Sequence, residues 1–156
     1  MVELEIWYDQ EPENDLGPGD PPIVVDTAAE LDQLLDRVLE ETKGNRFGQM
    51  IQVGIKGISG YPVLEVGLGK TLGFITYHDE HGGSTKGDAS VDELVEYVYM
   101  GTVSEVSADV EVPMTTVRRG LHEFLATGSR PSVVEDDAVW PSRRTFSPAL
   151  IPVRST

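Results

Sequence analysis

The 156-residue sequence contains no cysteine. That absence excludes disulfides, zinc–thiolate centres, iron–sulfur clusters and a cysteine nucleophile. Basic residues are scarce. Twelve Lys and Arg stand against twenty-seven Asp and Glu, a formal net charge of −15. Naked nucleic acid and anionic membranes repel such a chain at long range, so neither is expected as a partner. No run approaches the ~20 apolar residues of a membrane span. The opening Met1-Val2-Glu3-Leu4-Glu5 has no basic n-region and no apolar h-region, so a cytoplasmic protein is expected. What remains is ordinary for a globular chain: 39% hydrophobic and 25% charged residues, at a length that suits one domain. A domain of this size buries about 70% of the surface its unfolded chain exposes, enough for one core.

The charge is unevenly spread. Residues 1–43 hold thirteen acids and two bases, whereas residues 112–156 hold four acids and six bases. A solvated face explains such asymmetry, and so does an interaction surface.

Hydrophobic periodicity orders the chain as β-α-βββ-ββ-α. Val2 to Tyr8 alternates apolar and acidic residues, the pattern of a strand with one wet face. Asp9 to Pro22 carries four prolines and reads as loop. Thr27 and Glu30 have capping-box spacing, and Ala28, Leu31, Leu34, Leu35, Val38 and Leu39 then recur at helical spacing up to Lys43-Gly44. Met50–Ile58, Pro62–Leu68 and Thr71–Tyr77 are β-prone runs split by short Gly-containing breaks, which predict antiparallel hairpins. His78 to Asp88 reads as an exposed polar loop. Leu94–Met100 and Thr102–Val112 form a further hairpin around Gly101, although Val91, Leu94, Val95 and Val98 also fit a helix. Pro113 opens a second helix, Met114 to Ala126, with Val117, Leu121, Phe124 and Leu125 as its buried stripe. The expected fold is α+β: an antiparallel sheet of five to six strands with two amphipathic helices packed on one face. The expected domain is residues 1–135, followed by an extended proline-containing tail, 136–156, anchored by Trp140 or Phe146.

No motif specifies catalysis. Gly67-Leu68-Gly69-Lys70-Thr71 resembles the end of a phosphate loop, but Leu64 stands where the motif needs glycine, and a strand follows instead of a helix. A tight hairpin in which glycine permits positive φ is the plainer reading. His78-Asp79-Glu80-His81 offers four potential metal ligands, but an exposed polar turn is the plainer reading. His122 lies beside the apolar stripe of the second helix, where hydrogen bonding suits it better than catalysis. There is no Gly-x-Ser-x-Gly elbow. No cofactor, metal site or catalytic residue is therefore expected. Tyr97 and Tyr99 share one face of a strand, as interface anchors or as core rings with wet hydroxyls.

The closing segment resembles the Imm1 family. The residues concerned are Val112-Pro113-Met114-Thr115-Thr116 and the run Leu121 to Thr127-Gly128-Ser129-Arg130-Pro131. The helix from Val25 to Asp36 and the glycine-interrupted strand Val66-Gly67-Leu68-Gly69 are similar to the family's earlier segments. The likeness spans residues 23–135, and order and spacing carry it. Val134-Glu135 departs from a tryptophan common near that point, and the tail after Asp137 has no counterpart. The resemblance implies an α+β immunity protein of a bacterial polymorphic toxin system, which silences a toxin, commonly a deaminase-fold toxin acting on nucleic acid. A basic toxin cleft attracts an acidic domain. The expected partner contacts are Asp79, Glu80, Glu96 and Glu105 as acids and Tyr97 and Tyr99 as anchors, with a homodimer through an exposed hairpin edge as a further possibility. Two other readings remain open: an acidic DNA mimic or adaptor, and a metal-dependent enzyme using the loop from His78 to His81.

Overall fold

The computed structural model describes residues 1–8, 22–89, 92–99 and 102–136. Most of the loop expected over Asp9 to Pro22, and the tail with Trp140 and Phe146, lie outside these residues. The described residues form an α+β fold of eight strands and two α-helices. In chain order these are β1 (Leu4–Trp7), β2 (Ile23–Val25), α1 (Ala28–Thr42), β3 (Gly48–Ile55), β4 (Val63–Leu68) and β5 (Leu72–His78), then β6 (Leu94–Tyr99), β7 (Thr102–Ser107), β8 (Val112–Pro113) and α2 (Met114–Thr127).

The strand order is β2-β1-β3-β4-β5-β8, and the β6–β7 hairpin joins through β3. β4 occupies one edge of β3 from Gln49 to Gly54. The other edge is shared: β1 pairs with Gln52 to Ile55, and β6 pairs with Gly48 and Gln49. The β3–β6 pair is parallel and only two residues long, whereas the other ladders are antiparallel.

The sequence predicts five to six strands, and eight are present. β2 is three residues directly after the proline-rich stretch, too short for a period to register. The run from Thr102 to Val112 divides at a 3₁₀ turn, Ala108–Val110. Beyond that turn Val112 and Pro113 pair with Gly73 and Leu72 of β5, away from β6. The segment from Leu94 is strand, not helix.

Thr27 caps α1, its Oγ1 accepting from Glu30 N at 3.1 Å. The return bond of the box lands one residue early, on Asp26 N. Leu31, Leu34, Leu35 and Val38 are buried. α2 ends at Gly128, whose left-handed φ of 68° lets its N–H reach Phe124 O at 2.7 Å. Its buried Val117, Leu121, Phe124 and Leu125 join the α1 stripe in one apolar cluster with Leu4, Ile6, Ile51, Val53, Leu64, Val66 and Ile75. Each such side chain contributes about 1.5–3 kcal/mol by leaving water.

The stretch after His78 is less exposed than its composition suggests. Ser84 and Thr85 are buried. Ser84 bridges Thr76 and Glu135. Thr85 Oγ1 accepts from Ile75 N at 3.1 Å and donates to Val110 O at 2.6 Å. This strap ties the 3₁₀ turn to β5.

Candidate functional site

Residues 87–117 contain seven acids and no Lys or Arg. The hairpin of β6 and β7 forms the centre of this segment. Six residue pairs fix its register, from Leu94↔Ser107 to Tyr99↔Thr102. Ala108 N donates to Glu93 O at 2.8 Å and closes the open end.

Alternation gives the hairpin two unlike faces. On one, Val95, Tyr97, Tyr99 and Val106 pack with Met50, Phe74 and Val110 in a second, smaller apolar cluster. On the other, Leu94, Glu96, Val103 and Glu105 are exposed. Glu96 and Glu105 stand directly opposite each other. Like charges so placed are destabilising.

Tyr97 braces the hairpin. It is 2% exposed and meets Phe74 edge to face at 5.0 Å between ring centroids. A side chain at Gly48 or Gly67 would collide with its ring. Its hydroxyl donates to Glu111 at 2.7 Å. Burial, with Glu111 beside it, pushes the phenol well above its ordinary range. Tyr99 is half-buried and donates to Gln52 Oε1 at 3.3 Å. Gln49 is a buried amide whose Nε2 donates to Val98 O at 3.0 Å, pinning β6 to β3. No motif or period in the sequence marks Gln49, Gln52 or Glu111. The one available signal is a glutamine at the mouth of the apolar run Met50–Ile58.

A cleft of about 810 Å³ opens beside the hairpin, between the end of α1, the lead into β3 and the β4–β5 turn. Glu40, Lys43, Arg46, Lys70, Glu96 and Glu111 line it with both signs of charge. Lys70 and Thr71, from the stretch that resembles a phosphate loop, sit in the β4–β5 turn. The glycines there do not take positive φ, which among the described residues is found at Gly57, Gly60, Gly82, Gly83 and Gly128. Gly67 is required instead by close approach, because a Cβ would strike the rings of Phe74 and Tyr97.

The six expected contacts do not form one patch. Glu96, Tyr97, Tyr99 and Glu105 lie on the hairpin, level with the start of β3. Asp79 and Glu80 follow the far end of β5, which pairs with the start of β4. Asp79 Oδ1 accepts from the amides of His81 and Gly82, both at 2.8 Å, and so shapes its own turn. His78 faces Glu65 at 3.2 Å, and His81 faces Glu80 at 3.8 Å. The imidazole beside it holds the Glu65 carboxyl below its usual range. Among the described residues no group of three or more His, Asp or Glu side chains converges. Nor is any helix long and apolar enough to cross a membrane.

The arrangement is that of a small α+β domain presenting an acidic hairpin on a braced sheet. The family model for immunity protein Imm1 matches residues 19–137. The chain belongs to that family of immunity proteins. No curated protein matches it.

Proposed function

We propose that this chain is an immunity protein that neutralises its cognate toxin in the cytoplasm by covering the toxin's active site, and that it performs no reaction itself. The observation that carries this reading is the base-free acidic segment, which exposes Glu96 and Glu105 on the β6–β7 hairpin. A toxin acting on nucleic acid needs a basic cleft, and a deaminase-fold toxin is the type proposed. Acidic steering brings the two together at about 10⁸ to 10⁹ M⁻¹s⁻¹ in favourable cases, on the order of a thousandfold above unsteered rates. Both helix stripes feed one core cluster. We read the helices as lying on one sheet face, which leaves the hairpin clear for docking.

Within this reading Glu96, Glu105 and Tyr99 touch the toxin, Tyr97 holds them in place, and Asp79 and Glu80 form a separate, outlying contact. The test is co-expression with the toxin encoded beside the gene. The wild-type chain restores growth, and Glu96→Lys with Glu105→Lys loses protection while remaining folded. Growth arrest in the presence of folded wild-type protein rejects the proposal.

A further inference from the structure

The outer edge of β7 has no strand beside it among the described residues, since β7 pairs with β6 alone. Among the described residues the strands at the two ends of the main sheet path are shorter, three residues in β2 and two in β8, and β6 meets β3 at only two residues. β7 is six residues long and unbulged throughout its register. Edge strands are usually protected by charged side chains, Lys above all, by Pro, by a bulge or by extreme shortness. β7, Thr-Val-Ser-Glu-Val-Ser, has no Lys, Pro or bulge, and its one charge is Glu105. Its β-branched residues suit a pairing strand. Exposed Val103 and Leu94 add apolar area beside the edge.

We infer that the edge of β7, over residues 102–106, is a docking strand to which an extended cationic segment of the toxin adds by backbone pairing. Its specificity comes from Glu105 and the opposed Glu96. This rests on the immunity reading above and names the contact through which it acts. Charge decides the occupant. A second copy of the chain would bring Glu105 of each protomer close across the new seam, which repels. A Lys or Arg on an incoming strand meets Glu105 and Glu96 together and relieves their mutual repulsion. The two carboxylates thus reject self-pairing and admit a basic partner. The backbone ladder supplies adhesion, as in other strand-addition complexes. The hairpin is held by Tyr97 and by the Gln49–Val98 bond, so the edge is presented already formed.

The experiment is hydrogen exchange on the full chain, alone and mixed with the toxin domain encoded beside its gene. The alternate amides of residues 102–106 that face away from β6 are expected to exchange at least about tenfold more slowly in the complex, with β2 unchanged. Glu105→Lys weakens the complex by about tenfold or more. Glu96→Thr combined with Glu105→Thr makes the chain self-associate in sedimentation at concentrations where the wild type is monomeric. A complex that leaves β7 exchange unaltered overturns the inference and leaves the immunity reading intact. Absence of any complex removes both. Slow exchange on β7 in the free chain, from residues 137–156 or from a second copy, also overturns the inference. A double variant that stays monomeric removes the gatekeeping role of the carboxylates.

Discussion

Asp32 on α1 and His122 on α2 are ninety residues apart in sequence and meet at 2.8 Å. The same carboxylate accepts from Arg118 Nη1 at 3.0 Å, and Arg118 Nη2 reaches Asp36 at 2.9 Å. Two helices are thereby joined across their exposed flank. The His122 and Arg118 hydrogen bonds hold the Asp32 carboxyl below its usual range. A lowered folded pKa gives stability that is present above the ordinary carboxylate value, about 3.9, and lost as pH falls through the folded value. Asp32→Asn is therefore expected to melt at lower temperature than the wild type at pH 7. The difference should shrink steadily below about pH 4. Thermal melts of both proteins across that range check it, and a pH-independent difference would refute the clamp.

Gly67→Ala tests the ring seat. A Cβ there strikes Phe74 and Tyr97, which form one edge-to-face pair with nowhere to retreat. The expected loss is about 1–3 kcal/mol, the usual cost of overpacking. Gly44→Ala is the control, because nothing lies within 4 Å of its Cβ position. Urea unfolding of the two variants should separate them clearly.

Thr85→Val removes a hydroxyl that links Ile75 N to Val110 O. Thr85 is fully buried, so the Ile75 amide loses its side-chain partner away from water, and the partly buried Val110 carbonyl loses its donor. A loss of about 1–3 kcal/mol follows from the unmet bonds. Exchange of the Ile75 amide should accelerate in the variant. An unchanged rate would show that the strap is not held by this side chain.

Charge steering makes association depend on salt. Screening shortens the reach of exposed carboxylates from about 10 Å at 0.1 M to about 3 Å at 1 M. The association rate with the toxin should fall steeply over that interval while dissociation changes little. Glu96→Gln with Glu105→Gln should flatten the dependence. Stopped-flow measurements at three ionic strengths decide this, and a salt-independent wild-type rate would contradict the steering argument.

Local periodicity made most of this fold legible. The capping box at Thr27, the glycine stop after α2 and the alternation in β1 each act within a few residues, so the sequence displays them directly. What it hid are partners far along the chain. β8 is two residues, and only β5 defines it. Ser84 and Thr85 look like loop residues because the groups they satisfy belong to other elements. Of the two tyrosines, alternation put both on one face. It could not show that Gly48 and Gly67 open a seat for Tyr97, while Tyr99 sits one pleat further out against Gln52.

That difference between the tyrosines can be measured. Tyr97→Ala empties a buried site in a small cluster whose other buried members, among the described residues, are Met50 and Phe74. It should cost about 3–5 kcal/mol, the range for a large aromatic removed from a core. Tyr97→Phe keeps the ring and loses only the bond to Glu111, so about 1 kcal/mol is expected. Tyr99→Ala removes a half-buried ring, with a smaller effect on stability and a larger one on toxin affinity. Unfolding curves and toxin titrations for all three variants check the division of labour. If Tyr97→Phe binds as wild type while Tyr99→Ala binds weakly at full stability, the inner ring is a brace and the outer ring a contact. If Tyr99→Ala binds normally, the docking surface does not extend onto that face of the hairpin, and its contacts are confined to the β7 edge and the two glutamates.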